Sequence, residues 1–286
     1  MREVARLVTL VERDDAAAAA ERAAPLAAIE ANPLAPVVGF TGAPGVGKST
    51  LLGAVASALA ATSDVRIAIV AVDPSSTVSG GALLGDRTRI RVPEGRVFVR
   101  SQASQTELGG LAPTTYPVVR ALRRLFGLVL VETLGVGQSE DDIRHVADAT
   151  YLLLQPLAGD SVQHLKAGLM EAPDSIVVTK CDVADLAQSA LADLRAAIGL
   201  ARPGETIPLH AVSARTGAGV AALAAAVAVT AAGPERPRDD WFITRAVTTA
   251  DGRLGAGRLA GLGLPPAGSL DERLASALAR SASSSA

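Results

Sequence analysis

The sequence predicts an α/β fold: a mostly parallel sheet with helices on both faces, preceded by a helical extension and followed by a short C-terminal one. Three observations lead there. Short, almost uninterrupted apolar runs recur at 37–40, 65–72, 128–131, 151–154 and 176–178. Segments of helical composition separate most of them, and a glycine-rich stretch joins the first run to the helical segment behind it. Strands that are apolar on both faces and alternate with helices belong to a parallel sheet covered on both sides. A chain of 286 residues can bury one large domain with appendages. The expected division is 1–35 for the N-terminal helical extension, 36–232 for the sheet domain and 233–286 for the C-terminal extension.

Taken in order, residues 2–31 read as helical, with Val4, Leu7, Val8 and Val11 at helical spacing ahead of an alanine-rich stretch. Asn32-Pro33 closes that segment, because a residue before proline avoids the helical region. A strand over 36–41 leads into a helix over 49–61. The core ends near 232, after a strand at 207–212 and a last alanine-rich helix. Gly233-Pro234-Glu235-Arg236-Pro237-Arg238 reads as a linker, and the segment behind it holds Trp241 and turns glycine-rich over 251–263. The tail 281–286, mostly serine, reads as disordered.

Composition excludes several classes. Apolar residues make up 49%, too many for a disordered chain, while 2% aromatics leaves little for base-stacking platforms. With 27 basic against 29 acidic residues, net −2, the chain carries no electrostatic footprint for DNA or RNA. Charges of both signs interrupt the N-terminus, unlike a secretory signal. The longest apolar run, 218–232, is mostly alanine and too short to span a bilayer. The one cysteine, Cys181, rules out an internal disulfide and suits a cytosolic thiol. These readings place the chain in the cytoplasm, without nucleic-acid or membrane partners.

The glycine-rich stretch carries the chemistry. Gly42-Ala43-Pro44-Gly45-Val46-Gly47-Lys48-Ser49 fits the phosphate-binding loop pattern, Gly, four residues, then Gly-Lys-Ser/Thr, in its required setting between a strand and a helix. The loop's backbone amides surround a β-phosphate and the following helix N-terminus adds favourable dipole charge, so Gly42, Pro44, Gly45, Val46, Gly47, Lys48, Ser49 and Thr50 are nucleotide-binding candidates. Lys48 would reach the β- and γ-phosphates, and the Ser49 hydroxyl would coordinate Mg2+. Three carboxylates fall where a metal–phosphate site can use them: Asp73 ends one strand, Glu132 ends another, and Asp86 lies in a glycine-rich loop. Each is otherwise an ordinary loop or cap acid. Thr179-Lys180-Cys181-Asp182 follows a strand, and Ser213-Ala214 follows a later one. A carboxylate at Asp182 can accept both N1–H and N2–H of guanine, a pair that adenine does not offer. The Lys180 stem would lie over the base and the Ala214 amide would reach O6. Asp182 also suits the cap of the helix behind it, and the two roles are compatible.

With these residues in place, the sequence resembles the MeaB/ArgK-type G-protein chaperones of adenosylcobalamin-dependent acyl-CoA mutases. The resemblance runs over about 2–230. It rests on Val72-Asp73-Pro74-Ser75-Ser76, on Ser79-Gly80-Gly81-Ala82-Leu83-Leu84-Gly85-Asp86-Arg87, on Leu108-Gly109-Gly110-Leu111-Ala112 and, most specifically, on Glu132-Thr133-Leu134-Gly135-Val136-Gly137-Gln138-Ser139-Glu140. It implies a P-loop NTPase of the SIMIBI type that binds GTP and GDP with Mg2+, hydrolyses GTP and gates a methylmalonyl-CoA mutase-like partner. Lys48, Glu132 and Gln138 would be the catalytic residues; Ser49, Asp73, Asp86 and Glu132 would hold the metal. The loops after Asp73 and Glu132 would be its switches. A homodimer is compatible with the family, although the stretch beyond Gly233 does not match the family's dimerisation arm. Two further departures stand out. Thr179 replaces the usual Asn, which is expected to loosen the link between base loop and phosphate loop, and Gln105-Thr106-Glu107 replaces a cationic Arg-Gly-His.

Three other readings remain. A metallochaperone GTPase needs soft or imidazole ligands, but His145, His164 and His210 lack paired spacing and there is one cysteine. A small-molecule kinase would use Lys48 and Ser49 but not Asp182. A nucleotide-binding scaffold with little turnover would keep every binding residue.

Overall fold

Every predicted strand pairs in one parallel sheet of the computed structural model, which describes residues 1–74, 90, 92–93, 95–104, 111–134, 140–156, 173–201 and 203–282. The strands are β1 (Val37–Gly42), β2 (Ile67–Pro74), β3 (Val97–Ser104), β4 (Leu128–Glu132), β5 (Ala149–Leu154), β6 (Ser175–Val178) and β7 (Leu209–Ala211), in the order β3-β2-β4-β1-β5-β6-β7. Strand β3 was not anticipated: Arg100, Ser101 and Gln102 break its apolar run, as suits an edge strand with one neighbour. Among the described residues, helices follow β1, β3, β4, β6 and β7, and all the pairings are parallel.

Side chains alternate between the two faces. Val37, Val70, Val129 and Val131 join one core, while Val38, Phe40, Ile69 and Leu130 join the other. The second face is covered by α3 (Lys48–Thr62), through Leu51, Leu52 and Val55, and by α7 (Val220–Ala228), through Leu223 and Val227. The first face takes α1 (Arg2–Glu12), α4 (Thr115–Leu122) and α5 (Glu140–Val146), by way of Val8, Val119 and Ile143. Toward the far edge α6 (Ala184–Ala201) buries Leu194 and Ile198 against β5 and β6.

The N-terminal helical stretch divides into α1 and α2 (Ala16–Ile29), because Asp15 takes an extended conformation and its carboxylate accepts from the Ala18 amide at 2.8 Å. The carboxylate of Glu12 then receives Arg100 and Gln102 of β3, tying the end of α1 to the sheet edge.

The stretch 233–238 is not a linker, and the glycine-rich stretch behind it is helical. α8 (Arg236–Leu262) begins inside the first and runs through the second, then pairs with α9 (Leu270–Ala282). Glycine inside a helix costs about 1 kcal/mol relative to alanine. Burial of Ile243, Val247, Leu259, Leu270 and Ala277 in the core on the first face opposes that penalty. Trp241 stacks on His145 of α5 with ring centroids 4.9 Å apart, and Arg245 pairs with Asp142. The serine tail from 283 lies outside the described residues. Among the described residues, no helix is long and apolar enough to cross a membrane.

What turns 233–238 from linker into anchor is Asp148, whose side chain is 3% exposed. It accepts from the amides of Val37 at 2.7 Å and Gly233 at 2.6 Å, and from Arg123 and Arg238. Arg123, equally buried, also donates to the carbonyls of Ala35 and Gly233. Burial lowers the Arg123 pKa and the Asp148 carboxylate offsets part of that effect. A second carboxylate, Asp239, receives Tyr116 at 2.6 Å and Arg120 at 3.2 Å. Burial first and the Asp239 charge second push the Tyr116 hydroxyl well above its usual range.

Asp148→Ala would strand two buried guanidinium groups and two backbone amides. It is expected to remove about 3–5 kcal/mol of folding stability, read as a shift in the urea midpoint. A loss near zero would mean that Asp148 does not hold the start of α8 to the sheet.

Candidate nucleotide-binding site

The C-terminal ends of β1, β2, β4, β5, β6 and β7 form one rim, and most of the residues singled out in the sequence sit on it. In a parallel α/β sheet this rim is where ligands bind. The loop after β1 lies at the centre, because β1 is flanked by β4 and β5.

Two glycines fix the course of that loop. At Gly42 (φ +142°) a Cβ would lie 2.4 Å from the Leu153 carbonyl oxygen, so only glycine lets β1 stay paired with β5 to its last residue. At Gly47 (φ +102°) the left-handed backbone starts α3 directly behind the loop. Ala43, Pro44 and Gly45 form an exposed crest, with the Val46 amide donating to the Ala43 carbonyl at 3.2 Å. Lys48 is buried and donates to the carbonyls of Gly42 at 2.8 Å and Ala43 at 3.2 Å. The ammonium is therefore folded over its own loop. Thr50 lies exposed in the first turn of α3.

The metal-site candidates divide. Ser49 Oγ donates to Glu132 Oε1 at 2.8 Å, so α3 and β4 bring a hydroxyl and a carboxylate together beside the loop. These are hard oxygen donors of the kind magnesium takes. Register puts Glu132 between Phe40 of β1 and Ala71 of β2. Asp73 lies two residues past Ala71 on β2, at the same rim. Asp86 and Gln138 lie outside the described residues. Thr133, just past Glu132, donates from its hydroxyl to Thr41 at 2.9 Å and from its amide to Phe40 at 3.1 Å. The start of the loop after β4 is thereby held against β1.

On the other side of the loop stand the base-reading candidates. Thr179 Oγ1 donates to the Val46 carbonyl at 2.7 Å and approaches the Leu154 carbonyl at 3.1 Å. A link between base loop and phosphate loop is thus kept, through a hydroxyl buried between β5 and the loop. Lys180 takes a left-handed conformation (φ 55°) and its ammonium reaches the Gly45 carbonyl at 2.8 Å. Asp182 accepts from the Ser213 hydroxyl and pairs with Arg215 Nε at 3.3 Å. The Ser213 hydrogen bond, ahead of the Arg215 charge, holds the Asp182 carboxyl below its usual range. Ala214 follows Ser213 and packs at the edge of the core. The Cys181 thiol is pushed up by burial, the opposite of a reactive thiolate.

Sequence reasoning missed Gln155, Arg215 and the Thr41–Thr133 pair. Gln155 directly follows β5, so its place at a strand end was the one available signal; its partner Gly45 is visible only in the fold. Of the three histidines, His145 stacks on Trp241, His210 is half-buried on β7 with its pKa lowered by burial, and His164 is outside the described residues.

Comparison with known proteins agrees with this geometry. The family model described as Methylmalonyl Co-A mutase-associated GTPase MeaB matches residues 4–233. A Pyrococcus horikoshii protein provisionally named as a GTPase is 43% identical over 187 residues, 63% of this chain and 57% of that protein. The mitochondrial methylmalonic aciduria type A homolog of Mus musculus is 38% identical over 156 residues, 54% of this chain and 37% of its own length. The chain thus spans little more than half, or less, of the curated relatives it matches. A solved structure titled LAO/AO transport system kinase shares the fold, with a TM-score of 0.63 and 24% identity over 90% of this chain and 81% of that one. On the strength of the family match, which takes in the whole rim from Gly42 to Ala214, the chain belongs to the MeaB family of methylmalonyl-CoA mutase-associated GTPases.

Proposed function

We propose that this chain binds GTP at the rim, hydrolyses it with magnesium, and uses its nucleotide state as a timing signal on a cobalamin-dependent acyl-CoA mutase of the methylmalonyl-CoA type. The observation that carries the reading is the bond from Thr179 to the Val46 carbonyl, which joins the guanine-selecting loop to the phosphate loop. A site so joined binds a base and its phosphates as one ligand.

Each residue has a task in that reading. Lys48 exchanges the Gly42 and Ala43 carbonyls for phosphate oxygens, which need its charge more. Ser49 and Glu132, already 2.8 Å apart, would hold magnesium together with Asp73 and Asp86. When bound, the metal neutralises charge on the β- and γ-phosphate oxygens. Glu132 and Gln138 orient the attacking water. Asp182, kept ionised by Ser213 and Arg215, accepts the two guanine N–H groups, while Lys180 and Ala214 flank the base.

The timing role follows from where the loop after β4 leads. It starts at Thr133, clamped to β1, and ends at α5, which carries Asp142 and His145 against α8. Ordering of this loop around a γ-phosphate would therefore be felt on the helical face away from the nucleotide. The family description and the mouse relative's name support a mutase as the partner. The single cysteine supports a cytoplasmic place of action.

Calorimetry should show GTP binding at least about 100-fold tighter than ATP, since a site built for guanine N–H donors leaves Asp182 unpaired with adenine. Equal affinities would remove the guanine assignment. Lys48→Ala should lower single-turnover GTP hydrolysis by about 100-fold, on the scale of losing one phosphate-side donor; unchanged turnover would place the activity elsewhere. Affinity purification from the source organism should recover a cobalamin-dependent mutase, and repeated recovery of an unrelated enzyme would overturn the partner.

A pH series separates the role of Asp182 from simple capping. Its depressed pKa keeps the carboxylate ionised well into the acid range, so guanine binding is expected to fail only as pH drops through that lowered value. Ser213→Ala removes the main cause of the depression, and the loss of GDP binding should then begin at higher pH. An unshifted profile would show that Asp182 does not receive the base.

A further inference from the structure

Two side chains converge on the crest of the phosphate loop. The Gly45 carbonyl accepts from Lys180 Nζ at 2.8 Å and from Gln155 Nε2 at 3.0 Å. The next carbonyl, that of Val46, accepts from Thr179. Consecutive peptide units are thus pinned by donors that come from the ends of β5 and β6, outside the loop.

A peptide unit is planar and trans, so its carbonyl and its amide point in opposite directions. Holding the Gly45 oxygen toward Gln155 and Lys180 turns the Val46 amide to the other side, where it donates to the Ala43 carbonyl at 3.2 Å inside the loop, a bond that a phosphate oxygen would replace. Holding the Val46 oxygen toward Thr179 does the same for the amide of Gly47. Amides presented from one side make the concavity that binds a phosphate. A crest residue at φ +75° with open space around it has no packing of its own to keep this orientation. The outside donors supply what packing does not.

Of the two donors on the Gly45 carbonyl, Gln155 is the neutral one and is not a base-reading candidate. We propose that Gln155 is a positioning residue of the phosphate loop: through the Gly45 carbonyl it presets the Val46 amide, and so raises affinity for the diphosphate part of a nucleotide without touching the base. This rests on the reading of the rim as a guanine-nucleotide site. Lys180 acts on the same carbonyl but also flanks the base, so Gln155 is the residue on which the two effects separate.

The test is calorimetric titration of GDP and of GMP into the wild-type chain, Gln155→Met and Gln155→Glu. Methionine keeps the length and removes the donor, while glutamate sets an acceptor against the Gly45 carbonyl. The expected result is a threefold to tenfold loss, roughly what one neutral hydrogen bond contributes, in GDP affinity for Gln155→Met. The loss should be larger for Gln155→Glu, with GMP affinity within about twofold of wild type for the methionine variant. Equal weakening of GDP and GMP, or no change in either, would overturn the positioning role. Failure of the wild-type chain to bind GDP would instead overturn the guanine-nucleotide reading on which it rests.

Discussion

The close approach of Gly42 to Leu153 sets the geometry of everything on the rim. β1 can remain paired with β5 up to its final residue only because no Cβ stands between its backbone and the Leu153 carbonyl, 2.4 Å from where such an atom would be. The loop therefore leaves the sheet within reach of the residues that follow β5 and β6. That placement is what allows Gln155, Thr179 and Lys180 to reach its carbonyls, and Ser49 to meet Glu132 across β4.

The polar groups of the site satisfy one another in a way that suits exchange with a ligand. Lys48 rests on two carbonyls of its own loop, and Ser49 rests on Glu132. Buried charges and hydroxyls without partners would be expensive, so these internal bonds keep the site folded. Each is replaceable by a stronger bond to a phosphate or a metal ion. Asp182 follows the same logic, with Ser213 and Arg215 holding the carboxylate ionised and oriented.

Behind the sheet, the buried carboxylates Asp148 and Asp239 decide how the C-terminal helices sit. Asp148 joins the start of β1 to Gly233 and Arg238, and Asp239 joins α8 to Tyr116 and Arg120 of α4. The helices that follow are held against α5, the element into which the loop after β4 runs. α5 thus has a direct neighbour in α8, with Trp241 at the contact.

Local patterns were enough to determine the sheet strands with unbroken apolar runs and to single out the phosphate loop and the candidate base-reading tetrapeptide. Each is written in consecutive residues with a fixed spacing, so no distant contact is needed to recognise it. β3 escaped because an edge strand with one neighbour tolerates Arg100 and Gln102. The helix through the glycine-rich stretch escaped because burial of Ile243, Val247 and Leu259 against the sheet face outweighs weak helical propensity, and burial is not a local property. The departure from the family's Asn at Thr179 raised the expectation of a looser link, and the structure shows that a link is kept, through a buried hydroxyl bonded to the Val46 carbonyl at 2.7 Å. Residue type and spacing determined by themselves that this chain carries the phosphate-loop pattern, and they made Asp182 the candidate for reading the base. Only the tertiary structure decided that Gln155 and Thr179 grip that loop and that Asp148 turns 233–238 into an anchor, because those bonds join residues 85 to 133 positions apart.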